Sequence, residues 1–225
     1  MRKLPPSSFL LPERPSLRFE KRLLKLGHHF IAGLDEAGRG AWAGPVVAAA
    51  VILPLDLPAA RLHSLLDGVN DSKQLTPRQR ELALERIQRA ALAIGVGGAG
   101  PSEVDADGLI PATRAAMIRA LAALSIQPTA LLLDHIRLPE LPLPQTSLVR
   151  GDARVLSIAA ASIVAKVHRD RAMVALDAMH SGYGFAQHKG YGTAAHRAAL
   201  ERLGVCAAHR RSYEPVAQIA LLASS

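Results

Sequence analysis

Cysteine is almost missing from this sequence: Cys206 is the only one in 225 residues. A disulfide framework within the chain and a cysteine-ligated zinc centre are both excluded. Aromatic residues are nearly as scarce, at 4%. No row of rings is available to stack unpaired bases, which argues against a general single-strand binder. The core must then be built from Ala, Leu, Val and Ile. No uncharged apolar run reaches the length of a membrane span. Arg2 and Lys3 are followed by Pro5 and Pro6, and no apolar stretch of the secretory type develops. The cytoplasm is the expected location.

What is present is a basic chain with ample apolar material. Hydrophobic residues make up 49% and the formal net charge is +8. A full core is possible. The charge favours a polyanionic partner through long-range attraction and counterion release, although charge alone does not separate such a partner from general solubility. Residues 1–26 are rich in Pro and basic residues with little periodicity. They read as an N-terminal tail carrying at most a short helix at Leu17–Leu26, and residues 27–225 read as one domain.

From His29 the pattern becomes regular. His29–Leu34 reads as a strand running into Asp35, and the apolar run from Pro45 to Leu53 as a second strand. Thr76-Pro77-Arg78-Gln79 is a helix start, with Thr76 as cap, Pro77 at the first helical position and Gln79 as capping-box partner. This helix is expected to reach Leu92. Ala93–Ala99 reads as a strand whose glycines imply close packing or a bulge. A helix over Pro111–Leu124, strands at Ala130–Leu133 and Thr146–Arg150, and a long Ala-rich helix from Val155 to Met179 follow. Helices at Thr193–Leu203 and Tyr213–Ala223 close the chain. The mixture predicts an α/β domain with a mixed sheet flanked by helices and a small helical C-terminal appendage.

Acidic residues fall at the strand exits: Asp35 and Glu36 after the first, Asp134 after a later one, Asp152 after the strand Thr146–Arg150. Sites in α/β sheets gather beyond the carboxyl ends of strands. Four carboxylates collected there repel one another unless hard divalent cations neutralise them. Two such ions can support phosphodiester hydrolysis. A lone aspartate after a strand is more often a turn or cap residue, so Asp134 by itself decides nothing. Adjacent Asp35 and Glu36 in a glycine-rich loop are harder to dismiss. The spacing is not that of an EF-hand, and Gly33 to Gly38 lacks the Lys-Ser/Thr of a P-loop. Asp170, on the long helix, reads as a surface ion-pair residue.

Five segments, in order, resemble the type 2 ribonucleases H (ribonuclease HII). They are Gly33-Leu34-Asp35-Glu36-Ala37-Gly38-Arg39-Gly40 with Ala43–Val51, Asn70–Leu75, Leu132–Asp134, Arg150–Asp152 with Ser157–Val167, and His188–Thr193. The resemblance spans Phe30 to Pro215. The short stretch between Asp134 and Asp152 looks like the bacterial branch. The resemblance implies an RNase H-like fold and a metal site formed by Asp35, Glu36, Asp134 and Asp152, served by two Mg²⁺ or Mn²⁺ ions. It implies hydrolysis of RNA in RNA–DNA hybrids and incision 5′ of ribonucleotides embedded in duplex DNA, leaving 3′-hydroxyl and 5′-phosphate ends. A monomer with no membrane partner is expected. Gly38, Arg39 and Gly40 are then expected to approach the ribose and its phosphate, and Tyr191 to pack on the sugar that follows. Ser72, Lys73, Lys166 and Lys189 are candidate phosphate contacts, each lysine equally readable as a solvated charge. Two places depart from the family pattern. Ala41-Trp42 replaces a Pro and a smaller apolar residue, with Trp42 expected to pack under the loop, and His135 stands where a Gly or small residue is usual. A non-catalytic basic nucleic-acid-binding protein and a junction-resolving metal nuclease of the same fold remain alternatives.

Overall fold

The structure, a computed structural model, describes residues 14–222. Five strands form one mixed sheet: β1 (Ile31–Ala37), β2 (Val46–Ile52), β3 (Ala93–Ala99), β4 (Ala130–Asp134) and β5 (Gln145–Leu148), in the order β3-β2-β1-β4-β5. The first three run antiparallel as a meander, while β4 and β5 are parallel to β1 and to each other. Nine α-helices are described: α1 (Arg18–Lys25), α2 (Ala59–Leu65), α3 (Pro77–Ala90), α4 (Pro101–Asp107), α5 (Leu109–Ala122), α6 (Leu156–Met179), α7 (Phe185–His188), α8 (Ala194–Leu203) and α9 (Glu214–Leu222).

The sheet is covered on both faces, which explains the unbroken apolar run of β2. Val46, Ala48, Ala50 and Ile52 face α5, together with Met117 and Ala120. Ala49 and Val51 face the opposite layer of α2, α3 and α6, with Leu62, Leu84 and Ile163. A strand buried on both faces needs no polar alternation. On β3 the glycines mark close packing rather than a bulge: a Cβ at Gly95 would lie 2.0 Å from the Ala120 carbonyl oxygen, so α5 rests directly on the strand backbone. The Thr76–Gln79 capping box forms as expected, with both reciprocal bonds present. Helices α7, α8 and α9 pack with the end of α6 around Met173, Phe185, Leu200 and Val216, forming the C-terminal appendage.

The segment expected to be a tail is packed into the domain from Ser16 onward. Ser16 bridges Val155, Leu17 is buried, and Glu20 is fully buried at the start of α6. There its Oε1 accepts hydrogen bonds from the Ser157 backbone N–H and hydroxyl, both at 2.9 Å. Residues 1–13 lie outside the described residues. Helices α2, α4 and α7 were not expected from the sequence, and each is seven residues or shorter.

Candidate metal centre

Parallel pairing of β1 with β4 brings two of the acidic residues together. Leu34 lies opposite Leu133, so the next residues, Asp35 and Asp134, emerge side by side at the carboxyl end of the sheet. The third arrives from a 3₁₀ turn, Gly151–Ala153, reached from β5 through Arg150 in the left-handed conformation. Carboxylate oxygens of Asp35, Asp134 and Asp152 all lie within 4.8 Å of one another. Local bonds set their directions. Asp35 Oδ1 accepts the Glu36 N–H at 2.7 Å, Asp134 Oδ1 accepts the Gly151 N–H at 2.7 Å, and Asp152 Oδ1 accepts the Ala153 N–H at 3.0 Å.

Such a cluster is electrostatically costly as it stands. Burial, then the charges of Glu36 and Asp134, raise the Asp35 pKa well above the usual carboxylate value. Burial raises Asp134 as well, with the nearby Asp152 charge adding to it. Glu36 is raised by burial and partly relieved by Arg39, whose guanidinium lies 3.2 Å from Oε1. Its Oε2 is buried with no hydrogen-bond partner. The remaining counter-ion is Lys73, 2.8 Å from Asp152 Oδ2 on a largely exposed side chain. Burial works against that ammonium, but the bond to Asp152 and the charges of Asp35 and Asp71 raise its pKa overall. An oxygen-only ligand set, crowded, buried and under-neutralised, suits hard divalent cations.

Three of the four carboxylates, Asp35, Glu36 and Asp134, line a cleft of about 500 Å³. Gly38, Arg39, Gly40, Ser72, Lys73, Lys166 and Tyr191 line it together with Asp35, Glu36 and Asp134. Lys189 is the expected residue that the structure does not bring into the cleft. It sits in a left-handed turn at φ 52°, and its ammonium bends back onto the Ala186 carbonyl. It lines a neighbouring groove between α3 and α6 instead. Lys166 is tied to Asp170 at 2.7 Å, in the ion pair expected of Asp170. Trp42, expected to pack under the glycine loop, packs instead against the 190–192 segment and His196: a Cβ at Gly192 would fall 2.2 Å from the indole. His135 takes φ 60°, the conformation for which glycine is the usual choice.

Some residues that shape the cleft escaped the sequence reading. Ser162, one turn before Lys166 on α6, lines the cleft and hydrogen-bonds Ser72 through their hydroxyls at 2.7 Å. Arg169 and Arg210 are fully buried. Arg169 donates to the Pro45 and Ala43 carbonyls, Arg210 to those of Gly44 and Arg39, so two guanidiniums hold the loop that carries Gly38–Gly40. Charge in a polar stretch of sequence gives no signal of such burial.

A ribonuclease HII family model matches residues 32–216. The chain is 55% identical to the ribonuclease HII of Chloroflexus aurantiacus over 208 residues, covering 92% of this chain and 97% of that protein. The chain belongs to the ribonuclease HII family. Among solved structures, ribonuclease H2 from Pyrococcus horikoshii OT3 superposes with a TM-score of 0.67 at 26% identity, over 85% of this chain and 97% of that one. Bst-RNase HIII in complex with Mn²⁺ gives a TM-score of 0.68 at 19% identity, covering 87% of this chain and 70% of that one, and shows the same fold. The mixed sheet flanked by helices is thus the RNase H-like arrangement of this family, and the acidic cluster lies within the matched region.

Proposed function

We infer that this ribonuclease H hydrolyses the RNA strand of RNA–DNA hybrids and incises 5′ of ribonucleotides embedded in duplex DNA, leaving 3′-hydroxyl and 5′-phosphate ends. The observation that carries this is the convergence of Asp35, Asp134 and Asp152 within 4.8 Å, beside a basic, glycine-containing cleft. With Glu36 they would hold two divalent ions, Mg²⁺ or Mn²⁺. When bound, such ions neutralise the carboxylates, activate water and stabilise the leaving oxygen.

The remaining roles belong to the chain's own groups. The backbone at Gly38 and Gly40 stands where a ribose 2′-hydroxyl can be sensed, the group by which proteins tell RNA from DNA. Arg39, Ser72, Lys73 and Lys166 hold phosphates and so fix the strand in register. Tyr191 packs on the following sugar and favours deoxyribose there. No helix among the described residues is long and apolar enough to cross a membrane. We take the working form to be a single chain in the cytoplasm, since one chain supplies every carboxylate.

The test is cleavage of a DNA duplex carrying one ribonucleotide, with Mg²⁺, Mn²⁺ or EDTA, beside a continuous RNA–DNA hybrid and a branched DNA. Metal-dependent cuts at the ribonucleotide and in the hybrid are expected. Salt-sensitive binding without products would favour a non-catalytic binder, and cutting of the branched DNA alone would favour a junction nuclease. Asp134→Asn, which retains an oxygen for the Gly151 N–H, is expected to stay folded and lose at least about 100-fold in kcat. Full activity in that variant removes Asp134 from the site.

A further inference from the structure

Behind the exposed ring of Tyr191 lies a buried chain of imidazoles. His196 and His209 are 0% and 2% exposed, and their Nε2 atoms are 3.1 Å apart. A hydrogen bond between two ring nitrogens needs one to donate and the other to accept. The outer partners decide which. His196 Nδ1 lies 3.0 Å from the Tyr191 carbonyl oxygen. A carbonyl only accepts, so Nδ1 carries the proton of His196 and its Nε2 is bare. His209 must then donate from Nε2 and accept at Nδ1, where the Cys206 backbone N–H arrives at 3.1 Å, with Cys206 Sγ also 3.1 Å away. Each proton has one position: Cys206 N–H to His209, His209 to His196, His196 to the Tyr191 carbonyl.

A third imidazole holds the other side of the same segment. His188 donates from Nε2 to the Tyr183 carbonyl at 2.8 Å and accepts the Gly190 N–H at Nδ1 at 3.1 Å. It stacks on His196 with ring centroids 4.3 Å apart. Tyr191 is 37% exposed. Packing alone therefore does not fix it, and its direction depends on the backbone that these imidazoles hold. The ring is presented to the cleft between the Arg169 guanidinium and the Lys166 ammonium, 5.2 and 5.8 Å from its centroid.

The surroundings suit neutral imidazoles only. Trp42 and Phe185 pack on His196, and Tyr183 and Phe185 on His209. The titratable and charged groups around the pair are His180, His188, Tyr183, Cys206 and Arg210, none of them anionic at neutral pH. Burial first, and then the neighbouring histidines, hold both imidazoles down at about 4.

We propose that His196 and His209 form a neutral imidazole relay that positions Tyr191 for its contact with the substrate sugar. They are positioning residues for substrate selection, not ligands or proton-transfer groups. The proposal rests on the reading of Tyr191 as the residue that checks the sugar after the ribonucleotide.

The experiment compares kcat/KM on a duplex with one ribonucleotide followed by deoxyribose against kcat/KM on a continuous RNA–DNA hybrid. Melting temperatures are measured in parallel. His196→Leu and His209→Leu are each expected to shrink the preference for the first substrate by about tenfold, the scale on which small misplacements act. His196→Asn keeps an N–H near the Nδ1 position and is expected to restore most of the preference. A purely packing role would lower stability and both rates together, leaving their ratio intact. An unchanged ratio in folded His196→Leu, where Tyr191→Ala does change it, overturns the relay alone. An unchanged ratio in Tyr191→Ala overturns the sugar reading of Tyr191 and the relay with it. Imidazole ¹⁵N shifts of the wild-type protein at pH 6 give a measurement free of variants. His196 protonated only at Nδ1 and His209 only at Nε2 are expected, and a doubly protonated ring at either position overturns the proposal.

Discussion

Gly38 and Gly40 flank the same arginine, yet their surroundings differ. Gly38 has φ +94°, and a Cβ there would lie 1.8 Å from Arg169 Nε. Gly40 has nothing within 4 Å of its Cβ direction. Gly38→Ala is therefore expected to cost about 1–3 kcal/mol, read as a melting temperature lower by about 2–4 °C per kcal/mol. Gly40→Ala is expected to leave melting unchanged and lower cleavage, because the added methyl takes space the strand needs. At His196 and His209 the expectation concerns pH. Their pKa values fall from the ordinary 6.5 to about 4 in the fold. Between those pH values the unfolded chain takes up protons that the native state refuses. Their stabilisation is complete above 6.5 and declines as pH drops toward 4, by up to about 1.4 kcal/mol per pH unit for each ring. Denaturant melts of wild type against His209→Leu across this range isolate the effect from the carboxylates, and parallel curves would count against it. Asp35 and Asp134 could be read from sequence because each ends an apolar run, whereas Asp152 follows a mixed stretch and was secured by the resemblance. The placement of Lys189 in the neighbouring groove was not legible, because its left-handed turn leaves no mark in composition.

Helix α6 shows how one element organises the site. It carries Ser162 and Lys166 at the cleft, Arg169 under the loop, and Met173 into the appendage. Its first turn is capped from far away, by Glu20 on α1. A carboxylate is well placed at a helix N-terminus, but burial raises the Glu20 pKa above its usual 4.5. A raised carboxyl stabilises the fold most below its unfolded value and loses that contribution as pH rises through the folded one. At neutral pH the anion is thus poorly accommodated. Glu20→Gln, which retains an accepting oxygen for Ser157, is expected not to lower the melting temperature at pH 7. Glu20→Ala strands the Ser157 N–H and hydroxyl and is expected to cost about 1–3 kcal/mol. Equal losses in both variants would contradict this account. Helix α3 was readable from its capping box, and α6 and the strands β1–β4 from long Ala-rich or apolar runs. Helix α1 was read as part of a tail because its segment is short, basic and preceded by a Pro-rich stretch, although Leu17, Phe19 and Leu23 do form an apolar stripe. Its packing joins that stripe to one buried acid bonded to a serine 137 positions away, a contact that no local pattern announces.

For the molecule as a whole, the carboxylate cluster is a fault in the metal-free state that bound divalent ions would correct. A ligand that binds only the folded form at 100 times its Kd adds about 2.7 kcal/mol. Mg²⁺ or Mn²⁺ is therefore expected to raise the melting temperature by several degrees. Asp35→Asn is expected to raise the metal-free value and to abolish most of the metal-induced rise. An Asp35→Asn protein that melts below the metal-free wild type would show that repulsion is not the dominant local effect. The overall architecture was legible because mixed strand and helix periods left few layer arrangements open. The docking of the N-terminal helix and the internal arginines was not, since both depend on contacts between distant parts of the chain. The pairing of β1 with β4 also has a consequence in time. Asp35 belongs to the first strand made, but Asp134 and Asp152 are synthesised about a hundred residues later. On the ribosome, the growing chain carries only Asp35 and Glu36 of these four acids until Asp134 is added. The acidic cluster cannot close until β4, β5 and the turn at Asp152 have emerged, so any metal centre it forms is assembled after the first half of translation rather than during it.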